Sequence, residues 1–166
     1  MSCPDTARHL AQFNIARIRY ALDDPRMKEF VDNVARVNAL AEAIDGFVWR
    51  LKDESGNAMN MTVYDDARIL PNLTVWESVE ALERFVWQTL HKRFYGRREE
   101  WFEPIETPLV MWFVPAGERP TLEEGVERLD YLVANGPSDH AFGWDRIPAA
   151  QLWKTARCGA QSEHAA

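Results

Sequence analysis

Seven consecutive residues, LVMWFVP at positions 109–115, include no polar side chain. A strand with one wet face alternates, so an unbroken apolar run closed by Pro115 and Gly117 predicts a strand covered on both sides. Three other segments have strand character: HLAQFNIARIRY (9–20), GFVWRLKD (46–53) and PNLTVWES (71–78). Between the first two lies DDPRMKEFVDNVARVNALAEAIDG, with Asp23 or Asp24 as cap and Pro25 at an early helical position. Its residues Met27, Phe30, Val31, Val34, Val37, Leu40, Ala41 and Ile44 keep helical spacing up to Gly46. ESGNAMNMTVYDDARIL is a long connection with turn residues at Ser55, Gly56 and Asn57.

Ser78 opens a second helix that runs into FVWQTLHKRFYGRREEWFEP (85–104), where Gly96 is placed to kink or split it. Thr121 and Glu124 form a capping-box pattern ahead of a third helix, TLEEGVERLDYLVANGP. HAFGWDRI (140–147) reads as a last short strand. The order β-α-β-β-α-β, then α-β, predicts a ferredoxin-like, split βαβ α+β domain over 9–147, with loosely packed termini at 1–8 and 148–166. Leu152 and Trp153 mark QLWK as a segment that packs onto something.

Such a sheet carries its two main helices on one face. LVMWFVP demands cover on the other, and this reading gives a single chain no layer for it. A second copy, sheet against sheet, is the predicted cover, making a homodimer with an enclosed lumen.

The net charge of −7 disfavours nucleic acid as a partner. Lys92, Arg93, Arg97 and Arg98 are followed by Glu99, Glu100 and Glu103, the pattern of a self-compensated helix face. Two cysteines near opposite ends, Cys3 and Cys158, make neither a disulfide framework nor a metal-ligand spacing. No apolar run approaches membrane-span length, and MSCPDTARHL has no signal-peptide pattern, so the expectation is a cytoplasmic protein with no membrane partner.

The blocks HLAQFNIARIRY, LDDPRMKEFVDNVARVNALAE, GFVWRL, NLTVWESVEALERFV, the His91 helix with EWFEP, and VMWFVPAGERPTLEEGVERLDYL together resemble one bacterial family, domain-of-unknown-function family 3291. The likeness spans roughly residues 9–146. It implies membership of the dimeric α+β barrel superfamily, beside the antibiotic-biosynthesis monooxygenases. That superfamily holds cofactor-free oxygenases, lactone isomerases and haem proteins, and fold does not choose among them.

Several residues stand out as site candidates. His91, flanked by Trp87 and Phe94, suits a pocket edge as a general base or an axial haem ligand. A histidine bonded to a backbone carbonyl at a dimer seam is the competing reading. Arg50, placed on a strand face with Val48 and opposite Phe47 and Trp49, suits an anion holder; pairing with Glu103 is the alternative. Gln12 and Asn14 share a face with Leu10, Ala16 and Ile18, either to orient a ligand or to satisfy one another. Trp49, Trp76 and Trp87 could sandwich an aromatic substrate, or fill the core. Tyr20 and Tyr64 are unspecific oxyanion donors, and Asp65–Asp66 a solvated loop pair.

The resulting expectation is a small-molecule enzyme performing cofactor-independent oxygenation or isomerisation of an apolar, aromatic or polyketide-like substrate. His91 and Arg50 would be catalytic, with Asn14, Trp49, Trp76, Trp87 and Phe94 binding substrate, and no metal. The alternatives are a non-catalytic ligand-binding dimer and a haem protein with His91 on iron and Arg50 or Arg93 on a propionate.

Overall fold

A computed structural model describes residues 7–146. Five strands form one antiparallel sheet: β1 (Arg8–Ile18), β2 (Phe47–Arg50), β3 (Ile69–Trp76), β4 (Phe102–Glu103) and β5 (Leu109–Pro115). Their order is β2-β3-β1, with β5 against the first part of β1 and β4 against its last two residues. This is the ferredoxin-like arrangement that the element order predicts. Arg8, expected in a loose terminus, already pairs with Pro115. The remaining expectations for residues 1–6 and 147–166, QLWK included, lie outside the described residues.

Direct cross-strand partners share a face, so the register assigns every side chain. Leu10, Gln12, Asn14 and Ala16 of β1 stand opposite Trp76, Thr74, Asn72 and Leu70 of β3. This face carries helices α1 (Lys28–Ala43), α2 (Val79–Gln88) and the short α3 (Leu90–Gly96). Asp24 caps the Pro25–Met27 turn that leads into α1, accepting from Arg26 N at 2.9 Å. Gly46 makes the return into β2 with φ +94°, and an added Cβ would stand 2.6 Å from Ala81 Cβ, so only glycine lets α2 sit this close.

The opposite face carries α4 (Leu122–Asn135), capped by Thr121, whose Oγ1 accepts from Glu124 N at 3.1 Å. Leu129 and Leu132 join Ala11, Phe13, Val110, Trp112 and Val114 in one core cluster. A Cβ on Gly125 would meet the Phe13 ring at 2.8 Å, so α4 lies directly on β1. The chain thus supplies from its own α4 the second layer that sequence reasoning assigned to another copy. Val110, Met111, Trp112 and Val114 are buried, while Phe113 stays exposed at 46%, so LVMWFVP is covered on both sides only in part; the premise that the chain has no second layer of its own does not hold.

Three local expectations are corrected. The register shifts between Phe47 and Trp49, a bulge at Val48 that sets Phe47 opposite Trp76 and Arg50 opposite Thr74. Phe47 and Arg50 therefore share the α1 side while Trp49 pairs with Val75 on the α4 side. The second helix breaks first at Thr89, ahead of the stop at Gly96 that the sequence marks. Thr89 has extended backbone, and its hydroxyl donates to Phe85 O (2.5 Å) and accepts from His91 N (3.1 Å), ending α2 and starting α3. Finally, the segment from 140 makes a single bridge, Met111 to Phe142, and then a 3₁₀ turn at Trp144–Arg146 in place of a strand.

Candidate functional site

The helix-covered face is apolar at both ends and polar in the middle. At one end Leu10, Trp76, Met111 and Phe142 pack with Ala81, Leu82 and Phe85 of α2. At the other, Ile18 and Leu70 pack with Met27 and Trp101. Between them run Gln12, Asn14, Asn72 and Thr74, joined in one hydrogen-bonded ladder. Trp76 Nε1 donates to Thr74 Oγ1 (2.9 Å), and Thr74 Oγ1 donates to Gln12 Oε1 (2.9 Å). Gln12 Nε2 and Asn72 Nδ2 both donate to Asn14 Oδ1, at 2.7 and 2.9 Å. Gln12 and Thr74 are buried, Asn14 is half-buried and Asn72 is exposed, so the strip runs from core to solvent.

Helix α1 packs on the two apolar ends of this face. Its apolar residues Phe30, Val31, Val34, Val37 and Leu40 are only half-buried, and Ala41 alone is buried. Val37, Leu40 and Ile44 reach one apolar cluster, while Phe30 and Val31 reach the other. Ion pairs tie both ends of the helix: Glu42 to Arg50 (2.5 Å) and Glu29 to Arg97 (2.6 and 2.7 Å). A helix anchored at its ends beside a polar strip is an arrangement suited to a ligand with an apolar body and one polar group.

His91 stands at the α2–α3 break. Its Nδ1 lies 3.3 Å from Val86 O, the geometry of an Nδ1–H donor, which leaves the Nε2 lone pair as proton acceptor. Burial pushes its pKa below the ordinary value of 6.5, with the Val86 contact pulling weakly upward, so the ring is neutral at neutral pH. Two ring contacts link it to the floor: Phe85 lies 4.9 Å from His91 and stacks on Trp76 at 5.4 Å.

Of the other predicted site residues, Asn14 sits at the centre of the floor. Arg50 lies on the same face, with its Nε donating to Glu42 at 2.5 Å; it is not paired with Glu103, which meets Arg68 instead. Trp76 is fully buried beneath Phe47 and Phe85. Trp87 packs edge-on to Tyr95 (5.2 Å), and Phe94 lies against Trp101 (6.0 Å) across the α1 end of the face. Trp49 belongs to the α4 side, with Arg119 5.8 Å above its ring. Trp49 and Trp76 therefore occupy opposite faces and cannot sandwich one substrate.

Tyr64 donates to Asp130 at 2.7 Å beside a shallow groove of about 440 Å³ on the α4 face, and burial and Asp130 push its pKa up. It is spent on that bond. Asn72 and Thr74 were missed by sequence reasoning, although the period-two spacing of Asn72, Thr74 and Trp76 in NLTVW was the signal for them. Among the described residues no group of three or more His, Cys, Asp or Glu side chains could hold a metal ion, and no helix is long and apolar enough to cross a membrane.

Several solved structures are similar in fold. A conserved protein from Methanosarcina mazei Go1 aligns at 10% identity over 66% of this chain and 94% of its own, TM-score 0.47. PA3566 from Pseudomonas aeruginosa aligns at 12% identity over 68% and 98%, TM-score 0.45. SnoaB, a cofactor-independent oxygenase from Streptomyces nogalater, aligns at 19% identity over 70% and 98%, TM-score 0.43. No curated protein matches the sequence. The model of one family matches residues 9–158, nearly the whole chain: the protein belongs to the family Domain of unknown function (DUF3291).

Proposed function

We propose that the protein is a small-molecule enzyme whose substrate lies between α1 and the sheet, an apolar ring system with one oxygen held by the Asn14 amide. The observation that carries this reading is the ladder itself. Four polar side chains interrupt an apolar sheet face and end at half-buried Asn14 and exposed Asn72, beneath a helix whose apolar stripe is half-exposed. A purely structural network would be sealed under a seated helix.

The chemistry suited to these groups is carbon-acid activation. A proton leaves a carbon next to the ring system for His91 Nε2, and the electron pair spreads onto the oxygen held by Asn14, where donors count most away from water. Reaction of the carbanion with dioxygen, the proton on His91 passing to the terminal oxygen, gives a hydroperoxide, and loss of water with the second hydrogen of that carbon leaves a ketone. Return of the proton to a different carbon gives isomerisation. Arg50, neutralised by Glu42, serves to anchor α1.

Haem fits the described residues poorly. Val86 O would orient His91 for iron, but Arg50, expected at a propionate, already pairs with Glu42.

Oxygen uptake with an anthrone as carbon acid tests the reading, alongside a visible spectrum of the protein with added hemin. The account predicts acceleration by the native protein, loss of roughly 10²-fold or more in Asn14→Ala, and a comparable loss in His91→Ala. No acceleration with a sharp Soret band lost in His91→Ala would replace this reading by haem binding. Binding of anthrone without uptake would make the cleft a ligand-holding module.

A further inference from the structure

The ladder has a direction, and that direction selects the ligand. An indole N–H can only donate, so the Trp76–Thr74 contact makes the Thr74 hydroxyl an acceptor there. The one hydroxyl hydrogen of Thr74 goes to Gln12 Oε1. With its oxygen so engaged, Gln12 faces Asn14 with its NH₂ group and donates to Asn14 Oδ1. Asn72 adds a second donor to the same oxygen. Both lone-pair directions of Asn14 Oδ1 are thereby filled, and the part of Asn14 left for a ligand is its Nδ2 group, two N–H donors and no acceptor.

We propose that Thr74 and Gln12 are positioning residues that hold the Asn14 amide in one sense, so that the cleft takes a hydrogen-bond acceptor, a carbonyl, enolate or phenolate oxygen, and rejects a donor such as an amine. The proposal rests on the cleft reading above and adds a selectivity to it. Neither residue touches the ligand; each acts through Asn14. Turning the Asn14 amide over would set N–H groups against the N–H donors of Gln12 and Asn72, which gives the relay its hold.

Binding of two ring ligands of the same size, measured by calorimetry, isolates this effect. 1-Tetralone can only accept at its polar group, and 1-aminotetralin is a donor-only ammonium at neutral pH. The native protein is expected to favour the ketone by at least roughly tenfold, the worth of one well-placed hydrogen bond. Thr74→Val, which neither accepts from the indole nor donates to Gln12, is expected to lose most of that preference, and Thr74→Ser to restore it. Asn72→Leu, at the exposed end, removes the second donor to Asn14 and lowers the preference even should Thr74→Val fail to fold.

A preference unchanged in Thr74→Val and in Asn72→Leu would overturn the relay while leaving the cleft in place. Ketone affinity indifferent to Asn14→Ala, or neither ligand bound by the native protein, would remove the cleft reading and the relay with it.

Discussion

Replacing Gly125 by alanine sets two effects of opposite sign against each other. In the interior of α4, alanine is favoured over glycine by roughly 1 kcal/mol. The new Cβ, however, would lie 2.8 Å from both Cγ and Cδ2 of Phe13 and 3.3 Å from its Cβ. Carbon pairs settle at about 3.5–4.0 Å, so the ring or the helix must yield by close to an ångström. Phe13 is fully buried between β1's neighbours and α4, with no empty side to move into. Overpacking of this kind costs about 1–3 kcal/mol, and a contact this short belongs in the upper half of that range. The net is a loss of roughly 1–2 kcal/mol, a drop of about 0.5–1 M in urea midpoint at a typical slope. In a Phe13→Leu background the same change should cost less, because the clashing ring edge is gone. A midpoint that is unchanged or raised by Gly125→Ala would mean that α4 is not seated on β1.

Other consequences are testable in the same way. Gly46→Ala combines φ +94° with a 2.6 Å approach to Ala81, and should cost at least about 2 kcal/mol in a denaturation curve. Thr89→Ala removes the group that closes α2 and opens α3; a loss of about 0.5–2 kcal/mol is expected, with faster amide exchange at His91. The folded pKa of His91 lies below 6.5, so the unfolded chain binds the proton first as pH falls. Stability contributed by neutral His91 is complete above that value and drains away below it. His91→Gln should flatten the fall in melting temperature as pH drops below about 6.5, and an unaltered slope would refute the assignment. Tyr64→Phe should lower stability by about 0.5–1.5 kcal/mol through loss of the Asp130 bond and leave ketone binding unchanged.

Much of the architecture was legible because it rests on patterns of short range. The 3.6-residue period of 27–44, the Thr121 cap and the apolar run at 109–115 each name their element without reference to anything distant. What the pattern left open was which surfaces meet. Helix α4 was read correctly as a helix, yet its docking on the second sheet face depends on Gly125 admitting the Phe13 ring, a contact across 112 residues of chain that periodicity does not encode. The bulge at Val48 had the same effect on a smaller scale. One extra residue put Phe47 on the face of Arg50, where alternation had set it with Trp49, and Arg50 meets Glu42 there.

The site divides similarly. Asn14 and Gln12 were visible as amides among apolar residues on one strand. Their partners on β3 became partners only through the register that sets Asn14 opposite Asn72 and Gln12 opposite Thr74. His91 was recognised by its aromatic surroundings, while the break at Thr89 that aims it arises from a side-chain hydroxyl competing with the backbone, an effect helix propensity barely registers.

The account turns on whether a ligand sits beneath α1. Side-chain amide and backbone NMR during a titration with 1-tetralone addresses this most directly. Shifts concentrated at the Nδ2 protons of Asn14, at Asn72, at Val34 of α1 and at the His91 ring are predicted. Shifts gathered instead around Tyr64 and Asp130 on the α4 face, with the Asn14 amide silent, would contradict it.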